Sequence, residues 1–124
     1  MDDVNEEFDR RIDNVFFPKH WNTEEGVEPP NKVSKLNAKK ICKILFRNYN
    51  LKIDRIAATK EEGIYLVKND TKSISLIIEA YNDGDVGLII SNNKLKEVVF
   101  NEDIENFNFE KAINFFNCMN KLDY

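Results

Sequence analysis

Residues 77–90 read IIEAYNDGDVGLII, two apolar runs on either side of Asn82-Asp83-Gly84-Asp85. How these runs pair decides which side chains share a face. Side chains alternate along a strand, so a slip of one residue sends all of them to the other side. A two-residue loop at Asp83-Gly84 would oppose Tyr81 to Val86 and Glu79 to Leu88, mixing a carboxylate with apolar residues. A three-residue loop, Asn82-Asp83-Gly84, instead pairs Ala80 with Val86, Ile78 with Leu88 and Leu76 with Ile90, all apolar. Tyr81 with Asp85, Glu79 with Gly87, Ile77 with Ile89 and Ser75 with Ser91 then share the second face. This loop also sets Gly84 at the left-handed position of a bulged turn, and Asn82 and Asp83 suit the type I turn before it. The acids here are therefore expected to be turn chemistry. The calcium-loop pattern D-x-[DN]-x-[DN]-G-x5-E is not met and no His lies nearby, so neither a metal nor any other cofactor is expected.

Working outward, residues 63–68 (GIYLVK) read as a strand, and Asn69-Asp70-Thr71 as the turn joining it to residues 72–81. Ile64 and Leu66 are expected to join Ile74, Leu76, Ile78 and Ala80 on the core face. Residues 51–58 (LKIDRIAA) make an edge strand and 95–100 (LKEVVF) a fifth. Before the strands, residues 34–47 predict a helix with Ser34 as its N-cap and Pro29-Pro30 ahead of it. Leu36, Ala38, Ile41, Cys42, Leu45 and Tyr49 form its apolar stripe. After the strands, Asn108 is a candidate N-cap for a second helix, with Phe109, Ala112, Ile113, Phe116 and Met119 facing the core. Cys42 and Cys118, the only cysteines, both fall at apolar positions and are expected as buried thiols. The fold class is α+β: a helix, an antiparallel meander of four or five strands and a closing helix in two layers.

The 124 residues suffice for one domain and carry a net charge of −4. The charge is unevenly placed. Residues 1–28 hold nine acids and three bases, residues 29–60 nine bases and one acid, and residues 61–124 twelve acids and six bases. Residues 1–30 are read as an acidic arm bearing Phe16, Phe17 and Trp21, and 31–124 as the α+β domain. Val4, Phe8, Ile12 and Phe16 recur every four residues, which suits a short helix in the arm. The first residues are acidic and no apolar run nears the ~20 residues that cross a bilayer, which predicts a cytoplasmic protein without membrane contact.

At this point residues 29–91 resemble a group of small bacterial proteins. Their typical text is GGI-x-L-x-W, then hydrophobic-IE-hydrophobic and NDGE. Gly63, Ile64, Leu66, Glu79, Asp83 and Gly84 carry the resemblance, while Glu62 before Gly63 and Lys68 depart from it. Some of these proteins are encoded near toxin–antitoxin or mobile-element genes, so the resemblance implies an accessory role without implying a chemistry.

Three function classes follow. Catalysis would need a poised base, a nucleophile or a metal. The one His, His20, sits beside Trp21 in a loop, and Glu79 lies among apolar residues without a second acid at fixed spacing. Glu79 is either a carboxyl with a raised pKa or a half-exposed glutamate paired with a Lys or the arm. No catalytic residue is assigned, and the chain is read as non-enzymatic. Protein binding is the preferred class, antitoxin-, immunity- or adaptor-like. Its candidate interface is the second sheet face, Tyr65, Ile77, Glu79, Tyr81 and Ile89, which also carries Val67 and is too apolar for open water. The arm, through Phe16, Phe17 and Trp21, or a second copy of the chain is expected to cover that face. Nucleic-acid binding is the alternative, with Lys35, Lys39, Lys40, Lys43 and Arg47 as an anionic-partner face on the first helix.

Overall fold

The structure is a computed structural model describing residues 2–69 and 73–122, with side chains from 5 to 69 and from 73 to 121. Elements run α1 (Asp2–Asp13), α2 (Lys19–Glu25), α3 (Lys32–Tyr49), β1 (Arg55–Thr59), β2 (Gly63–Asn69), β3 (Ile74–Tyr81), β4 (Val86–Asn92), β5 (Glu97–Asp103) and α4 (Glu110–Leu122). The five strands form one antiparallel meander in the order β1-β2-β3-β4-β5. The expected α+β arrangement is the one observed. Asp70 and Thr71 of the expected β2–β3 turn, and the Val4 side chain, lie outside the described residues.

The β3–β4 register is the three-residue solution. Ala80 pairs with Val86, Ile78 with Leu88, Leu76 with Ile90, Glu79 with Gly87 and Ile77 with Ile89. Gly84 has φ +99°, its N–H donates to the Tyr81 carbonyl (3.0 Å), and the Tyr81 N–H donates to the Asp85 carbonyl (2.9 Å). Asp83 Oδ1 accepts from the Asp85 N–H (3.0 Å), closing the turn from inside. The β2–β3 register sets Ile64 opposite Ala80 and Leu66 opposite Ile78, so the core face continues across the hairpin.

Onto this face pack α3, with Ala38, Ile41, Cys42 and Leu45, and α4, with Phe109, Ala112, Ile113 and Phe116. Helix α4 begins at Glu110, with the Phe109 carbonyl accepting from the Ile113 N–H (2.9 Å), so Asn108 lies one residue before the cap position, where its Oδ1 accepts from the Glu110 N–H (3.2 Å). Helix α3 starts two residues before the expected point. Asn31 is the N-cap, accepting from the Ser34 N–H (3.0 Å), while Ser34 Oγ accepts from the Asn31 N–H (3.2 Å). Ser34 is thus the third helical residue of a capping box. The helix ends on Asn50 in the left-handed conformation, and Leu51 and Ile53 beyond it drop into the core before β1 begins at Arg55. Strand β5 runs to Asp103 and carries a bulge opposite Ile90/Ser91. The bulge lets Val99 and Phe100 both pack on the core, with Phe100 against Phe115 at 5.0 Å between ring centres.

Several expectations are corrected. Leu36 is 63% exposed, because the core-facing arc of α3 runs through Ser34, Ala38, Ile41, Cys42 and Leu45 and Leu36 falls outside it. Cys118 is exposed, because the buried arc of α4 follows Phe109, Ala112, Ile113 and Phe116. The arm does not cover the second sheet face through its first helix. Helix α1 packs beside α3 and sends Phe8 and Ile12 into the same core.

Asn82 joins the hairpin to the helix layer. Its Nδ2 donates to the Pro29 carbonyl (3.0 Å), its Oδ1 accepts from the Asn31 N–H (3.0 Å), and its carbonyl accepts from Asn31 Nδ2 (3.1 Å). Its own N–H donates to the Glu62 carbonyl (2.8 Å). No described helix is long and apolar enough to cross a membrane.

Two glycines give a sharp contrast. A Cβ on Gly63 would lie 2.3 Å from the Ala80 carbonyl oxygen, backbone that cannot yield, whereas one on Gly87 would lie 3.6 Å from the Tyr81 ring, ordinary contact. Gly63→Ala is expected to lose about 2–3 kcal/mol or more in urea unfolding, the upper end of overpacking costs, and Gly87→Ala less than about 1 kcal/mol. Equal losses would contradict the close approach at Gly63.

Candidate functional site

The face of the sheet turned away from α3 and α4 is laid out in rows across the strands. One row is Arg55, Val67, Ile77, Ile89 and Asn101; the next is Ala57, Tyr65, Glu79, Gly87 and Asp103. Val67, Ile77, Ile89 and Tyr65 are half-buried here, while Leu66, Ile78, Leu88 and Ile90 on the helix side are buried. The register therefore leaves an apolar patch at the centre of a face that bears water on the outside. The hydroxyl of Ser75 and the side chains of Asn69 and Asn93 close one end with mutual hydrogen bonds (2.9 and 2.7 Å).

Glu79 lies in the middle of this face at 9% exposure, directly between Tyr65 and Gly87. The Tyr81 ring lies beside Gly87, and its hydroxyl hydrogen-bonds Glu79. Glu79 Oε2 is buried and has no hydrogen-bond partner among the described residues. Burial raises the Glu79 pKa, the Tyr81 hydrogen bond partly opposes it, and the Glu61 charge raises it further. Burial, with the neighbouring Glu79, pushes the Tyr81 phenol up to about 12. The pair is thus a carboxyl and a phenol whose pKa values burial raises together. Of the two sequence expectations for Glu79, burial favours the raised pKa, and no Lys or arm residue pairs with it among the described contacts.

The arm aromatics lie elsewhere. Phe17 and Trp21 meet edge to face at 5.6 Å, and Lys60 sits over the Trp21 ring at 5.5 Å while pairing with Glu25 at 3.1 Å. Glu62 Oε2 accepts from the Glu28 N–H (2.8 Å), so the segment carrying α2 is moored to the β1–β2 turn. Phe16 is 78% exposed. His20 lies in α2 and not in the expected loop, exposed beside Trp21, and the described residues form no group of three or more His, Cys, Asp or Glu able to hold a metal.

The basic residues of α3 are not one free stripe. Lys39 pairs with Asp13 at 2.7 Å and Lys35 Nζ donates to the Asp13 carbonyl (3.3 Å), both beneath the C-terminal end of α1. Lys40 is drawn away over the Phe107 ring at 4.7 Å, Lys43 is half-buried and Arg47 is exposed. Asn82, Asp83 and Gly84 form the turn, as expected, but the mooring role of Asn82 was hidden because its partners lie 51 and 53 residues away. The fit of Tyr81 to Gly87 was likewise missed. Its only trace in the sequence is a glycine inside an apolar strand, two residues off the tyrosine's cross-strand partner.

No protein-family profile matches this chain, and no curated protein or solved structure is significantly similar to it.

The Glu79 environment sets a pH signature. Its folded pKa is raised, so the folded state holds the proton more tightly than the unfolded chain. That contribution is fully present below the unfolded carboxylate pKa and is lost as pH rises through the folded value. Glu79→Gln, which keeps an acceptor for Tyr81, is expected to gain in Tm relative to wild type by a few degrees more at pH 8 than at pH 4. A difference that stays constant or shrinks with pH would contradict the buried carboxyl.

Proposed function

We propose that this chain is a small, non-enzymatic, cytoplasmic protein-binding module, antitoxin-, immunity- or adaptor-like, whose partner docks on the open face of the sheet. The supporting observation is the half-exposed patch of Tyr65, Val67, Ile77 and Ile89, set by the β2–β3–β4 register opposite a face fully covered by helices. Contiguous apolar surface of this kind favours association, and the aromatic residues Tyr65 and Tyr81 at its edge suit an interface. The resemblance of residues 29–91 to accessory bacterial proteins points the same way. The nucleic-acid alternative draws less support, because Lys35 and Lys39 are engaged by Asp13 and Lys40 by Phe107.

The test is a tagged pull-down from the native host, with and without nuclease, using wild type and the single variants Ile77→Lys and Ile89→Lys. Both positions are half-exposed, so a lysine can carry its charge to water and the fold should hold. A stoichiometric protein partner that survives nuclease and falls at least tenfold in both variants is the expected result. Full recovery in both variants, or recovery of nucleic acid with proteins lost after nuclease, would overturn the reading.

A further inference from the structure

A second surface lies on the helix layer, away from the sheet face. Val33 and Leu36 on the first turns of α3 are 44% and 63% exposed, and both line an open groove of about 540 Å³. The volume is within the range of small-molecule clefts, so the groove is large enough to seat side chains. Lys32, Lys35 and Lys39 form its rim together with Asp13 at the end of α1. The floor is apolar and the rim is basic. The first turn of α3 carries no acid, so the positive end of the helix dipole adds to the lysines there instead of being offset.

Asp13 shows how this rim takes an acidic chain. Its carboxylate receives Lys39 Nζ at 2.7 Å, and its backbone carbonyl receives Lys35 Nζ at 3.3 Å. Lys32, one turn nearer the helix start, is exposed on the same rim and makes no ion pair among the described residues. Part of the basic surface is therefore answered within the molecule and part of it is open beside two exposed apolar side chains.

We infer that this groove is a docking site for an acidic amphipathic segment of a partner protein, with leucine-like side chains on Val33 and Leu36 and a carboxylate on Lys32. Charge complementarity selects the occupant: a basic segment would meet Lys32 and the positive end of α3, and a neutral one would leave both unanswered. A nucleic-acid strand would find phosphate partners, but its polar backbone would lie across an apolar floor. The site is independent of the sheet face, so either surface can fail without the other.

The test uses the full-length isotope-labelled protein, followed by amide NMR. The probes are a 14-residue helical peptide of Glu and Leu with its leucines on one face, the same peptide with Lys for Glu, and a single-stranded oligodeoxynucleotide. The acidic peptide is expected to shift the amides of residues 32–39, to bind at least tenfold more weakly to a Lys32→Glu/Leu36→Ser variant, and to weaken between 50 and 300 mM salt. Both substituted positions are exposed, so the fold is not at stake. Ile89→Lys should bind it unchanged. Absence of shifts, equal binding of the Lys peptide, shifts centred on residues 65–89, or stronger binding of the oligonucleotide would each overturn the inference.

Discussion

The register of β3 against β4 is the constraint on which the rest depends. With Asn82-Asp83-Gly84 as the loop, the buried side chains of the central hairpin that point toward α3 and α4 are all apolar, and Glu79 points away. With one residue fewer, Glu79 would share its face with Leu88. Each buried Ile or Leu on the helix side contributes roughly 1.5–3 kcal/mol relative to exposure, so a slip that turns Leu88 and Ile90 away from Leu76 and Ile78 splits the apolar face and is costlier than a single contact could offset. The same choice determines what is left outside: Ile77 opposite Ile89, and Glu79 opposite Gly87, beside which the Tyr81 ring lies.

Asn82 carries this constraint to the helix layer. It belongs to the turn, yet its side chain and carbonyl hold Pro29 and Asn31, and Asn31 is the cap from which α3 starts. The hairpin and the first turn of α3 are therefore positioned by one residue. That turn presents Val33 and Leu36 outward, while α1 lies alongside and answers Lys35 and Lys39 with Asp13. The acidic first segment and the basic second one thus meet partly within the molecule, which accounts for some of the charge asymmetry without an outside partner.

Much of this was legible in the sequence where a local rule applied. The glycine-bearing loop, the apolar pairing and the periodicity of α4 each decided an element without reference to distant residues. What was not legible depended on such residues. Leu36 and Cys118 sit at helical spacings compatible with a core, and only the direction from which the sheet approaches places them outside it. Asn31 rather than Ser34 caps α3 because Asn82 reaches it from the hairpin. Phe8 and Ile12 share one stripe as their spacing suggests, whereas Phe16 lies beyond the end of α1 and is exposed; spacing does not say which surface a stripe meets, and Phe8 and Ile12 meet the core beside α3 rather than the open sheet. For the candidate site, the members of the sheet face were readable from register. The burial of Glu79 under Tyr81 was not, since it depends on a ring lying beside a glycine of the neighbouring strand.

One face of the sheet is sealed by the helices and the other is open to solvent. Methyl-labelled protein in the presence of a soluble gadolinium relaxation agent measures this directly, because broadening tracks access of the agent to each methyl group. Strong broadening is expected at Val67, Ile77 and Ile89 and little at Leu66, Ile78 and Leu88. Protection of Ile77 and Ile89 equal to that of Ile78 and Leu88 would contradict it and would mean that the face is already covered in the isolated protein.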